Sequence, residues 1–85
     1  MNRQKELLSE LRCAVAEVLQ IPLEQITLEA RYLEDLGATS LDLATLVIML
    51  EDNLNADLPY EEFRDVKTVA DSLQLIQAHL PEEER

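Results

Sequence analysis

Apolar residues recur at spacings of three and four along most of this chain, and the rhythm breaks in only a few places. Leu7, Leu8, Leu11, Val15, Val18 and Leu19 keep that spacing, with Glu6, Glu10, Arg12 and Glu17 between them. The pattern predicts an amphipathic helix over residues 4–20. Ile21-Pro22 closes it, because the residue before a proline avoids helical angles. A second apolar run, Leu41 to Leu50, predicts a helix over residues 40–55. On a wheel of about 100° per residue, Leu43, Leu46, Val47, Leu50 and Leu54 share one face, the expected core face. Leu41, Ala44 and Ile48 form a second apolar stripe roughly opposite, with Glu51 and Asp52 flanking it and Asp42 near its start. A small domain has no use for an apolar stripe pointing away from its core, so either another element covers it or a partner docks there, and the acids beside it favour a partner.

Between these helices residues 21–39 form a long connection. Pro22 to Ile26 predicts a short helical turn, and Leu23, Ile26, Leu28, Tyr32, Leu33 and Leu36 are its expected apolar anchors. Leu58 to Phe63 predicts a very short helix, with Pro59 near its start and Glu61 and Glu62 in its first turn. Thr68 reads as an N-cap with Asp71 three residues on, followed by Val69, Leu73, Ile76 and Leu80 as the inward face of a last helix that Pro81 ends. The order is long helix, long loop, long helix, very short helix, helix: an all-α chain in one domain over residues 1–85, with residues 1–3 and 82–85 expected to fray.

Composition supports that order. The chain is 47% hydrophobic but only 4% aromatic, with no Trp, so its core is aliphatic and suits helices better than a β-sandwich. A single cysteine excludes an internal disulfide and points to a reducing, cytoplasmic setting. Cys13 itself is expected as a small core-facing residue of the first helix. One Cys and one His cannot build a zinc site without several carboxylates. The N-terminus leads into an amphipathic pattern, where a signal peptide would show an apolar core. No apolar run reaches the roughly 18 residues that a membrane span needs. Lys and Arg number 7 against 18 Asp and Glu, a formal net charge of −11. That charge repels nucleic acid and suits a protein meeting basic patches on partners.

Gly37 is the only glycine, placed just before the second helix, where it implies a turn few other residues could make. Ser40 follows at the helix threshold. As a nucleophile it lacks equipment: His79, expected as a surface or half-buried structural residue, is the only histidine, and neither a nucleophile elbow nor a phosphate-binding glycine loop is present. As a cap, either Thr39 or Ser40 serves, with Asp42 completing the arrangement. A third role is that of an acceptor, a hydroxyl to which another enzyme attaches a group. Glu51, Asn53, Asn55 and Glu62 fall at calcium-loop spacing, but Ala56 stands where that loop demands glycine and Pro59 occupies its ninth position.

The stretch Glu34-Asp35-Leu36-Gly37-Ala38-Thr39-Ser40-Leu41-Asp42 resembles the phosphopantetheine attachment site of the acyl carrier protein family. The similarity continues through Leu46-Val47, Leu50-Glu51-Asp52, Leu58-Pro59, Glu61-Glu62 and Thr68-Val69, and so covers nearly the whole chain. The resemblance implies a four-helix bundle, monomeric and without catalysis of its own. It implies 4′-phosphopantetheine on Ser40, transferred from coenzyme A by a phosphopantetheinyl transferase (holo-carrier synthase), and an acyl group carried on the arm as a thioester. It further implies that Asp42, Glu51 and Asp52 meet Arg and Lys on acyltransferase, ketosynthase or acyl-ligase partners while Leu41 and Ile48 insert as apolar contacts. Acyl chains in this family can tuck between the helices, so long cargo is expected to raise thermal stability.

Departures from the family pattern bear on the pathway. Thr39 stands where the family usually has Asp before the serine. Thr45 and Asn53 stand where fatty-acid carriers usually have glutamates, and Tyr60 and Arg64 replace acids in and near the third helix. Two families of role follow: a carrier for fatty acid synthesis, or a specialised carrier for polyketide, modified fatty acyl or lipid-precursor synthesis. An aminoacyl carrier and an unmodified helical interaction module, in which Ser40 only caps a helix, are the alternatives.

Overall fold

A computed structural model describes residues 3–80. In chain order it contains α1 (Arg3–Leu19), one 3-10 turn (Leu23–Gln25), α2 (Ser40–Leu54), α3 (Tyr60–Phe63) and α4 (Val69–His79). Among the described residues the only β pairing is an isolated antiparallel bridge between Arg31 and Thr68. The predicted helix order therefore holds. Helix α1 begins at Arg3. The expectations for residues 1, 2 and 82–85, and for Pro81 as a helix stop, lie outside the described residues. Leu80, which precedes that proline, has left helical angles at φ −86° and ψ 148°.

Local chemistry sets the helix ends. Both α2 and α4 begin with reciprocal capping boxes, Thr39 with Asp42 and Thr68 with Asp71. Both α1 and α2 end on a left-handed residue, Gln20 at φ 60° and Asn55 at φ 55°. The next amide then reaches back to the last turn, Ile21 N–H to the Ala16 carbonyl and Ala56 N–H to that of Glu51, each at 3.2 Å. Glycine is the usual residue at this position. In a chain with one glycine, asparagine and glutamine serve instead.

The core is one cluster. It takes Leu7, Leu11, Ala14 and Val15 from α1, Leu43, Leu46, Val47 and Leu50 from α2, Phe63 from α3, and Val69, Leu73 and Ile76 from α4. Cys13 is exposed, which corrects the expected inward placement. The buried face of α1 is centred near Leu11, and two residues on, at about 100° each, Cys13 points to the far side. Leu54, at the last position of α2, is only half-buried.

The long connection is held by its backbone as much as by side chains. Ile26, Tyr32 and Leu36 are buried as expected, but Leu23, Leu28 and Leu33 are exposed. Arg12 explains part of this. Its guanidinium donates to the Ile26 carbonyl (Nε, 2.9 Å) and the Leu23 carbonyl (Nη2, 2.8 Å), tying the 3-10 turn to α1 without burying Leu23. On the other side, Tyr32 N–H donates to Lys67 O, Val69 N–H to Ala30 O and Ala70 N–H to Leu28 O, all within 3.0 Å. These bonds stitch the connection to the start of α4. Beneath them the Ser72 hydroxyl gives its one proton to Val69 O at 2.7 Å. The buried Tyr32 hydroxyl, 2.7 Å from Ser72 Oγ, is therefore the donor of that pair. Burial pushes the Tyr32 phenol up to about 12.

Candidate functional site

The connection delivers the chain to α2 through a tight turn. Arg31 O accepts from the amides of Asp35 and Leu36, and Tyr32 O accepts from Ala38 N–H at 2.8 Å. Gly37, at φ +72°, sits between the buried Leu36 and Ala38. A Cβ there would meet open space, so it is the left-handed backbone that calls for glycine, and crowding plays no part. The two acids before the turn are engaged. Arg31 pairs with Glu34 at 2.8 Å and with Asp35 at 3.3 Å. Hydrogen bonds from the Arg31 amide and guanidinium hold the Asp35 carboxyl below its ordinary range.

Beyond Ala38 the two adjacent hydroxyl residues take different places. Thr39 is the N-cap: its Oγ1 accepts from Asp42 N–H at 3.1 Å, and Asp42 Oδ2 accepts from Thr39 N–H at 2.9 Å. Ser40 is the first residue of the helix proper and is exposed. Its hydroxyl has no hydrogen-bond partner among the described residues. Sequence reasoning left the cap open between the two, and the structure gives it to Thr39. The first-turn amides of Ser40 and Leu41 have no intrahelical acceptor, so an anionic group on Ser40 Oγ would stand at the positive end of α2. An exposed serine, free of capping duty and at a helix N-terminus, fits a phosphodiester-linked arm.

Below Ser40 the second stripe of α2 faces solvent, with Leu41 75% and Ile48 67% exposed and Ala44 half-buried. Leu33, on the turn before α2, is also exposed, at 62%. It was expected as an anchor, but Tyr32 and Leu36 take the inward positions of that turn. The three acids of the stripe differ in freedom. Asp42 is held in the capping box. Glu51 accepts from Leu58 N–H through Oε2 at 2.9 Å, fixing the chain between α2 and α3. Asp52 is exposed and borders an open acidic hollow with Ile48, Glu51, Asn55, Ala56 and Asp57.

Tyr60 is the neighbour that sequence reasoning did not place at the site. Its hydroxyl lies 3.5 Å from the Ser40 carbonyl, twenty residues away in sequence. No local signal announces this contact, because it depends on where α3 packs. His79 is exposed at the end of α4 with Nδ1 3.0 Å from Leu75 O, and is not part of this arrangement. Among the described residues no group of three His, Cys, Asp or Glu side chains could hold a metal ion. No helix among them is long and apolar enough to cross a membrane. An apolar seam beside the site, lined by Val15, Val18, Leu19, Tyr32, Ala38, Leu43 and Leu46 with Asp42, is too tight for a water molecule.

Comparison with known proteins gives the chain a family. Residues 9–77 match the family described as phosphopantetheine attachment site. An acyl carrier protein of Clostridium perfringens is 34% identical over 73 residues, covering 86% of this chain and 96% of its own. One from Thermosynechococcus vestitus is 38% identical over 73 residues, covering 86% of this chain and 90% of its own. Among solved structures, the apo doublet acyl carrier protein from prodigiosin biosynthesis superposes on all of this chain with a TM-score of 0.75 at 21% identity. This chain spans 42% of that one, and the likeness shows the shared helical fold. With a family match along most of its length and relatives of this similarity, the chain belongs to the phosphopantetheine-binding acyl carrier protein family.

Proposed function

We propose that Ser40 is the attachment residue for 4′-phosphopantetheine and that the chain is a discrete, non-catalytic carrier serving fatty acid or related lipid or polyketide biosynthesis. The observation that carries this reading is the free hydroxyl of Ser40 at the first position of α2, with capping already supplied by Thr39. The prosthetic group, when attached, supplies a thiol that holds acyl groups as thioesters. The protein's part is to present Ser40 on a rigid helix start and to offer partners a docking face.

That face is Leu41 and Ile48 with Asp42, Glu51 and Asp52. Two of its acids already hold backbone amides, and Thr45, at the place of an acid usual in fatty-acid carriers, directs its hydroxyl to Leu41 O at 3.1 Å, so Asp52 is the one acid of the face with no intramolecular bond among the described residues. This supports a carrier of a specialised pathway, meeting transferase, ketosynthase, acyltransferase or acyl-ligase partners whose docking patches are basic at the rim and apolar at the centre.

Intact mass after incubation with coenzyme A and a phosphopantetheinyl transferase tests the first claim. One phosphopantetheine mass should be gained, and Ser40→Ala should gain none. An unmodified wild-type chain beside a modified control carrier would leave only the interaction-module reading. For the docking face, Ile48→Lys should slow the modification at least tenfold with the fold intact. For the pathway, efficient acyl transfer from enzymes of housekeeping fatty acid synthesis would count against specialisation.

A further inference from the structure

An aromatic side chain from α3 reaches the start of α2. Tyr60 opens that four-residue helix, is half-buried against the core, and places its hydroxyl 3.5 Å from the Ser40 carbonyl. Two features mark this contact as provisional. Its length exceeds the 2.5–3.0 Å usual for O–H···O bonds. Its acceptor is also already served, since a helical carbonyl receives the amide four residues on. The Tyr60 hydroxyl is thus a donor with a weak partner, beside the residue proposed to carry the arm. Its position is nonetheless fixed. Glu51 Oε2 holds Leu58 N–H at 2.9 Å two residues earlier, and Phe63, fully buried, anchors the other end of α3.

Resting on the reading of Ser40 as the attachment residue, we propose that Tyr60 is an arm-binding residue. Its ring packs on the gem-dimethyl unit of the phosphopantetheine arm, and its hydroxyl exchanges the Ser40 carbonyl for a polar oxygen of the arm. The chemistry fits. The gem-dimethyl carbon is a compact apolar group one methylene beyond the phosphate, and the phosphate, hydroxyl and amide oxygens around it are hydrogen-bond acceptors that a phenol can serve. The consequence is directional: the arm lies on the α3 side of α2, and the face carrying Leu41 and Ile48 stays open for a partner while the arm is at rest.

The test is isotope-filtered NMR on the modified protein. Nuclear Overhauser contacts are expected between the Tyr60 ring protons and the arm's methyl groups. The amide shift changes that modification causes in residues 58–63 should shrink at least twofold in Tyr60→Phe, which keeps the ring and removes only the donor. Absence of ring-to-methyl contacts in a fully modified sample, or unchanged shift differences in Tyr60→Phe, overturns this proposal and leaves Ser40 as the attachment residue. Failure to gain the arm at all, read by intact mass, overturns the attachment reading itself and this one with it.

Discussion

Thr39 Oγ1 accepts from the Asp42 amide, while the Ser40 hydroxyl one residue on has no partner among the described residues. Stability and modification should therefore separate cleanly between these neighbours. Thr39→Ala removes a cap and should cost about 1 kcal/mol. Ser40→Ala should leave the unfolding free energy from urea titration within about 0.5 kcal/mol of wild type and abolish modification. A destabilised Ser40→Ala with an unaffected Thr39→Ala would return the cap to Ser40. The left-handed residues offer a second pair. Gln20 adopts φ 60° without the tolerance of glycine, so Gln20→Gly should raise stability by about 0.5–1 kcal/mol. Gly37→Ala should lower it by about 1 kcal/mol through backbone strain alone, since the space beside Gly37 is empty.

At the scale of elements, the connection between α1 and α2 behaves as a structural unit although it contains only one helical turn. Arg12 grips it from α1 through two carbonyls. Arg12→Ala should cost about 1–2 kcal/mol by leaving those carbonyls without their donor. Arg12→Lys should recover little of that, because an ammonium cannot reproduce the fork of a guanidinium. Equal urea midpoints for Arg12→Ala and wild type would show that the grip contributes nothing. From the α4 side, Tyr32 holds the same connection through Ser72. Burial raises its phenol from 10.0 to about 12. A group raised on folding stabilises fully below its unfolded value and loses that contribution as pH climbs through the folded one. Stability should therefore fall between pH 10 and about 12, by on the order of 2 kcal/mol. Tyr32→Phe should flatten that part of the profile, and melting curves recorded across the window in both proteins check it.

For the whole molecule, the apolar seam between α1, α2 and Tyr32 is closed to water, yet it lies beside the start of α2. A long acyl chain entering it would bury methylenes worth about 0.8 kcal/mol each, less the work of parting Leu43 and Leu46 from Val15. Loading the arm with a long acyl chain in place of acetyl should then raise the melting temperature by at least about 4 °C. An unchanged melting temperature would place the cargo in solvent. The groove at the other end of α2, bordered by Leu54, Leu80 and the exposed Cys13, should be unaffected by loading.

Much of this molecule was readable because it is built from interactions within four residues along the chain. Apolar periodicity identified the helices, threonine with aspartate three residues on identified the cap of α4, and the single glycine marked the turn into α2. The motif around Ser40 identified the family for the same reason, being contiguous. What periodicity supplies is a bearing on a residue's own helix, with no statement of what covers it. The tertiary structure therefore decided that Cys13 faces solvent, that Leu33 leaves the core while Tyr32 enters it, and that Glu51 holds the Leu58 amide. It alone brought Tyr60 to Ser40, across twenty residues, because that contact exists only once α3 has packed against α2.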